Sequence, residues 1–409
     1  MQNDHPKDIK PVEFIVLMAF IMLLTAVAID IMLPAFGQLR VYLGLAPDST
    51  ATSQIVTFFF LGQIGQLVFG PLADRYGRLP VLRVGFVLYI GGCIAAAISP
   101  TLSLILAARF VVGLGAAALS VGAVTSVRDR FMGDKMARTM SLIMTIFLFV
   151  PIVAPIVGTA ILSISSWQVV FLTPAIVGVV VFIWSFRLRE SLTAERRLPL
   201  DVTTLVKSVR QVTGNWTYVR YTAIVTIMFS AFSSYVSSSE HMISEIYKRP
   251  ELFTWIFGGI GLTMAIFTFL NAQFVRRFGA RRTVRTLLTV YVVLAGILLA
   301  LTLALHGTPN IFVFFGIVAL LQGVYVAAEP NSSALALEPM GTTAGMAAAI
   351  YGTSFFVVGS FLGSFIDRQL IDSVTPLAVG YLIAGLVVVI LVYSGRTSTN
   401  PVITTTAAE

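Results

Sequence analysis

The feature that most constrains this chain is a run of about 20 apolar residues that recurs twelve times. The runs fall at roughly 13–36, 50–72, 80–99, 102–127, 139–163, 167–187, 219–239, 253–275, 283–305, 310–337, 343–366 and 374–394. A helix rises about 1.5 Å per residue, so about 20 apolar residues cross a hydrocarbon core of roughly 30 Å. Most interruptions are Gly, Pro, Ser or Thr, which membrane helices tolerate. Composition agrees: 57% of the 409 residues are hydrophobic and 11% charged, against about 25% charged in a soluble domain. A soluble fold of this size could not hide so much apolar surface. The expected fold class is an all-α integral membrane protein.

The net charge of +8 is explained by its distribution. With the N-terminus in the cytoplasm, 22 of the 27 Lys and Arg fall on the cytoplasmic side, only Arg40, Lys248, Arg249 and Arg368 fall outside, and Arg109 lies within a run. That asymmetry follows the positive-inside rule and places both termini in the cytoplasm. The basic side suits contact with anionic membrane lipid, and nucleic acid is not needed to account for it. "AVA" at 26–28 has the form of a signal-peptidase site, but the apolar run far exceeds a signal h-region of about 7–15 residues, so the first span is expected to be retained.

The densest charge, in "RLRESLTAERRLPLDVTTLVKSVRQVTGN", separates six runs from six. It reads as a linker over 188–218 with an interfacial helix, between halves at 1–187 and 219–409. The halves share a loop: "ADRYGRLPVLR" (73–83) and "VRRFGARRTVR" (275–285) align Arg75 with Arg277, Gly77 with Gly279 and Arg83 with Arg285. An offset of 202 at matching topological positions argues for internal duplication around a midplane site.

Four motifs carry a family resemblance: "GPLADRYGRLPVLR" (70–83), "LAARFVVGLGAAAL" (106–119), "VPIVAPIVGTAIL" (150–162) and "AIDIMLPAF" (28–36). The first resembles the loop signature of the major facilitator superfamily. The second and third resemble its fourth-helix and fifth-helix antiporter motifs, with Ala154 in place of the first glycine of G-P-x-x-G. The last, with "ALALEPMGTTAGMAAAIYG" (334–352), is similar to the bicyclomycin and chloramphenicol resistance transporters, a drug/proton antiporter branch. The resemblance implies two pseudo-symmetric six-helix halves and, as function, proton-coupled efflux of small lipophilic or amphipathic compounds, antibiotics included, by alternating access. It also implies a monomer in a bacterial inner membrane. Export of a metabolite by the same machinery is the alternative; an uptake symporter or a non-transporting membrane receptor fits less well.

The candidate residues have physical readings of their own. Asp74 and Arg78 lie four apart beside Gly77, so with Gly70, Arg75 and Asp129 they read either as topology-setting charge or as a cytoplasmic latch. Pro151, Pro155 and Gly158 recur on one helix face and read as packing of a bent helix or as the antiporter seal between halves. An Asp or Arg in mid-span costs about 2.5–3.5 kcal/mol on insertion scales. By helix rise Asp30 lies about 24 Å from Phe14 and Arg109 about 10 Å into its own run, so the two can share a level. They read as a structural ion pair or as a proton-coupling pair, because burial and a nearby cation act on a carboxyl's proton affinity in opposite directions. Glu329, ahead of Pro330, joins Asp30 as a candidate substrate contact, with Phe58, Phe232, Tyr235 and Tyr351 as candidate walls. Glu240 and Asp367, at the outer ends of their runs, read as solvated charge.

Enzyme signatures such as G-x-S-x-G, H-E-x-x-H and G-x-x-x-x-G-K-[ST] are absent. One cysteine, Cys93, and three scattered histidines, His5, His241 and His306, offer neither a disulfide nor a metal site. No enzyme activity and no cofactor are expected.

Overall fold

The computed structural model describes residues 9–193, 195, 197 and 202–394; Lys7, Arg196 and Arg396, counted above among the cytoplasmic charges, lie outside them. Among the described residues twelve helical spans are long and apolar enough to cross a membrane: Pro11–Tyr42, Thr50–Tyr76, Arg78–Ile98, Leu102–Arg130, Arg138–Ile164, Trp167–Ser185, Trp216–Ile246, Pro250–Phe278, Ala280–Ala304, Ile311–Gly341, Ala344–Asp367 and Thr375–Tyr393. They are numbered spans 1 to 12 below. Among the described residues there is no strand. Successive spans alternate in direction, giving a basic end, which carries the 73–83 and 275–285 loops, and a far end.

The breaks follow from local chemistry. At the basic end spans 2 and 3 meet at Gly77, whose φ of 110° belongs to the region glycine enters without steric cost. Gly279 turns spans 8 and 9 in the same way, with φ 76° and ψ 156° against ψ 164° at Gly77. Each glycine N–H bonds the carbonyl four residues back, Ala73 and Val275 respectively. The two loops therefore share backbone conformation as well as residues. Side-chain oxygens of Thr101, Asn215 and Asn310 cap the starts of spans 4, 7 and 10, supplying acceptors for first-turn N–H groups. A further helix, Val202–Thr213, lies in the linker and packs on spans 7 and 11.

Spans 1–6 pack closely on one another, as do spans 7–12, and the two sets meet where span 1 approaches span 7, span 2 approaches spans 7 and 11, and span 5 approaches span 8.

Candidate functional site

Span 1 is not one helix. A proline at 34 has no N–H to offer the Asp30 carbonyl, so the regular ladder stops there. The α-helix ends at Asp30 and a 3₁₀ turn follows over Leu33–Ala35. Ahead of the break Met32 N–H turns to the Ile29 carbonyl, which frees the carbonyl of Ala28. Arg109 of span 4 takes it: Nη2 donates to Ala28 O at 2.8 Å. The guanidinium also sits 4.9 Å over the Phe59 ring. Gly158 of span 5 closes the other side; a Cβ there would collide with the Ile31 carbonyl.

This places Asp30 at a helix break clasped by spans 4 and 5. Of the two readings of Asp30 and Arg109, it sets aside the structural ion pair. Asp30 is buried at 6% exposure, yet among the described residues no ion pair includes it. Arg109 shares its level but holds backbone, because the freed carbonyl competes for the guanidinium. Tyr235 of span 7 lies within Coulombic range of Asp30, and among the described residues its buried hydroxyl has no hydrogen-bond partner.

Further along the interface the aromatic residues form one connected group. Phe60 of span 2 stacks on Phe356 of span 11 at 5.7 Å and meets Phe229 of span 7 edge-on at 5.1 Å. Phe232 stacks on Tyr325 at 4.9 Å, and Tyr351 on Phe355 at 6.1 Å. Tyr351 donates to Glu329 Oε1 at 2.8 Å, so these two candidates meet. Tyr235 stacks instead on Phe257, and Phe58 is half-buried beside the core. The sequence reading named Phe232 and Tyr351 but missed Phe60, Phe229, Tyr325, Phe355 and Phe356, since one aromatic in a span looks like another until partners are known.

Each end carries an arginine bound by two carboxylates. At the basic end Arg78 Nη1 donates to Asp74 at 2.6 Å and Nε to Asp129 at 2.9 Å, with Ser191 donating to the same Asp129 oxygen. Glu190 caps span 3 by accepting Arg78 N–H at 2.8 Å and Leu79 N–H at 3.0 Å. Arg75 is exposed over Tyr76, and Gly70 has open space around it. At the far end Arg40 of span 1 donates to both oxygens of Glu240 on span 7, at 2.8 and 3.0 Å, and to Glu245 at 3.3 Å. Arg40 and Glu240 are 2% and 4% exposed. The expectation of solvated charge at Glu240 is therefore corrected, as is that at Asp367, which is also buried. Their partners lie in distant spans, and hydropathy alone does not register them.

The face expected to seal the two sets divides. Pro155 and Gly158 are buried, Gly158 against span 1, while Pro151 and its neighbour Ile152 face Gly261 of span 8. Thr159 reaches Thr254 of span 8 at 3.0 Å. Among the described residues no metal-ligand cluster occurs.

The family model described as Major Facilitator Superfamily matches residues 14–364. The chain is 27% identical over 395 residues to a bicyclomycin resistance protein homolog of Haemophilus influenzae, covering 95% of this chain and 96% of the relative. It is 29% identical over 331 residues to the multidrug resistance protein MdtL of Salmonella heidelberg, covering 80% of each. Among solved structures a D-xylose-proton symporter superposes with a TM-score of 0.71 at 14% identity, over 92% of this chain and 97% of that one; that likeness speaks for the fold alone.

Proposed function

Because the chain belongs to the major facilitator superfamily, and so is a transporter and not an enzyme, we propose that it exports small lipophilic or amphipathic compounds, antibiotics among them, across a bacterial inner membrane in exchange for protons. In this reading the two sets of six spans, 1–187 and 219–409, are the rocking halves, joined by the linker 188–218. The observation that carries the reading is Asp30: a carboxyl with no basic partner among the described residues, at a break in span 1 that Arg109 and Gly158 hold in place. A carboxyl so placed is tolerated because its charge is temporary. It takes a proton when the far end opens and gives it up toward the basic end, where the basic residues face the cytoplasm. The aromatic group around Phe60, Phe229 and Phe356, with the Glu329–Tyr351 pair, offers apolar faces and one acid to an amphipathic drug. The names of the two relatives, resistance proteins both, support that substrate class.

Energetics suffice. One elementary charge crossing 100 mV is worth about 2.3 kcal/mol, which sustains roughly a 50-fold gradient of a neutral drug for each proton exchanged. A susceptibility panel in a pump-deleted host identifies an exported compound, and efflux of that compound is then followed in proteoliposomes under an imposed pH gradient. Asp30→Asn inserts and binds drug but loses the gradient, a fall of about tenfold in accumulation for each pH unit imposed, while Asp30→Glu keeps part of the activity with an altered pH profile. A response of Asp30→Asn equal to the parent's would move proton coupling to Glu329.

A further inference from the structure

Span 11 carries Gly359, Gly363 and Asp367 at four-residue spacing, hence on one face. That face lies on span 7, whose Thr226, Ser230, Ser234 and Ser238 share the same spacing. A Cβ at Gly359 would lie 2.9 Å from the Thr226 carbonyl, and one at Gly363 would lie 2.5 Å from the Ser230 carbonyl. Small residues thus let the two backbones touch and bring Asp367 into a cage of hydroxyls. Ser234 and Ser238 donate to its Oδ1 at 2.6 and 3.0 Å, and Ser237 donates to Oδ2 at 2.7 Å. The residue is 2% exposed, and among the described residues no basic group lies within 4 Å of its carboxylate.

The cage serves either protonation state. A hydroxyl has one proton to give and two lone pairs to receive with. Ser237 Oγ also lies 2.8 Å from the Ser233 carbonyl and 3.2 Å from that of Ser234. When Asp367 is ionised, all three serines donate to it. When it is protonated, Oδ2–H donates to Ser237 Oγ, and the Ser237 proton turns to the Ser233 carbonyl. Neither state leaves a buried polar group unpaired, and rotation of one hydroxyl separates them.

We propose that Asp367 and its serine cage form a second proton-binding site, apart from Asp30, in the last six spans. A proton from water at the far end, where span 11 finishes, adds to the carboxylate without any co-reactant and leaves by the same route. The charged and titratable groups on the far-end parts of the packed elements are Tyr235, Glu240, His241 and Glu245 on span 7, Arg368 next in sequence and Tyr381 on span 12; Gln54–Gly62 of span 2 and the Thr50–Ser53 turn before it bring none. Arg40 is held by Glu240 and Glu245. The same nine residues of span 7, Ser233 to His241, hold Asp367, face Asp30 through Tyr235 and reach Arg40 through Glu240. Protonation of the cage therefore bears on both the Asp30 site and the far-end closure. That role in transport rests on the proton-exchange reading, whereas the site itself is tested without any drug.

The test is an infrared pH titration of the purified protein in lipid nanodiscs. The parent shows a titrating carboxylic-acid band that disappears in Asp367→Asn and survives in Asp30→Asn. Ser238→Ala removes a donor that bonds the carboxylate more strongly than the carbonyl oxygen of the acid, so the acid band persists to a pH about one unit higher. Ser237→Ala removes the acceptor of the acid proton, so the band moves to higher frequency. Loss of no band in Asp367→Asn, or an unchanged frequency in Ser237→Ala, overturns the proposal. A midpoint that moves when sodium replaces choline overturns it in favour of a metal-cation site. Failure of drug efflux leaves this titration standing, and an Asp367 that never titrates leaves drug efflux standing.

Discussion

Arg78 and Arg40 are both almost wholly buried guanidiniums, each held by two carboxylates, at opposite ends of the molecule. They differ in where those carboxylates come from. The partners of Arg78, Asp74 and Asp129, lie with it in the first six spans. Arg40 is in the first six and Glu240 and Glu245 are in the last six. At the basic end the remaining pairs between described residues, Arg187–Glu13 and Arg281–Glu338, also stay within one set. An ion pair inside one set moves with it as a rigid unit. A pair that crosses the two sets must break whenever they part. On the proposed transport reading, the basic-end cluster moves with one body, while the far-end cluster sets the balance between closed and open.

The largest effect is expected where the crossing pair is cut. Removing one partner of a buried pair costs about 3–5 kcal/mol, because the other charge is left uncompensated. Full inversion of a two-state balance from 1:99 takes about 5.5 kcal/mol. Glu240→Gln should therefore shift a far-end-closed molecule substantially toward open, with Glu245 supplying only partial relief. Spin labels at Val41 and Lys248, 80% and 74% exposed, in a background lacking Cys93, read the separation of spans 1 and 7. A longer distance is the expected outcome. An unchanged distribution would mean that Arg40 and Glu240 merely neutralise each other.

A smaller effect is expected from Asp74→Asn. Asp74 is 34% exposed, and Arg78 retains Asp129 at 2.9 Å. Exposed pairs contribute about 0.2–1 kcal/mol, so export should slow by no more than about fivefold, with the Val41–Lys248 distance unmoved. If the far end opened as it does in Glu240→Gln, the two clusters would have to be one coupled system.

How far each cluster could be read from the sequence follows the same division. Asp74, Gly77 and Arg78 are close in sequence, and their spacing already announces a turn and a pair; Asp129 lies in the last turn of span 4, at the same end. Gly158 was legible as a place of close approach, though not which helix it meets. Arg40 and Glu240 are 200 residues apart, and nothing local to either marks the other. The most apolar stretch of span 7 has a mean hydropathy of only 1.2, so its apolar signal stops near 239 while the helix runs to Ile246, carrying Glu240 into the interior. The Asp30–Arg109 pair failed for a different reason. The break ahead of Pro34 turns Met32 N–H to Ile29 and leaves the Ala28 carbonyl to Arg109, and a backbone acceptor cannot be seen in a pattern of side chains.

The smallest expected effect asks why the duplicated loop carries its cluster only once. Gly77 and Gly279 hold the same positive-φ turn, but the position of Asp74 is Arg276 in the second loop and that of Arg78 is Ala280. An alanine at either glycine incurs backbone strain of about 1–3 kcal/mol. At Gly279 a Cβ meets nothing within 4 Å; at Gly77 it would press on Glu190, whose Cδ would lie 2.8 Å away. Glu190 would have to give up the N–H groups of Arg78 and Leu79, a further loss of about 1–3 kcal/mol. Thermal unfolding in detergent should therefore show both variants destabilised, with Gly77→Ala the lower in Tm. The double variant Gly77→Ala with Glu190→Ala removes the collision, so the alanine at 77 should cost no more on the Glu190→Ala background than Gly279→Ala costs alone. Equal shifts for the two single variants would show that Glu190 moves aside freely, and that the first loop owes its cluster to Arg78 and the aspartates without the cap.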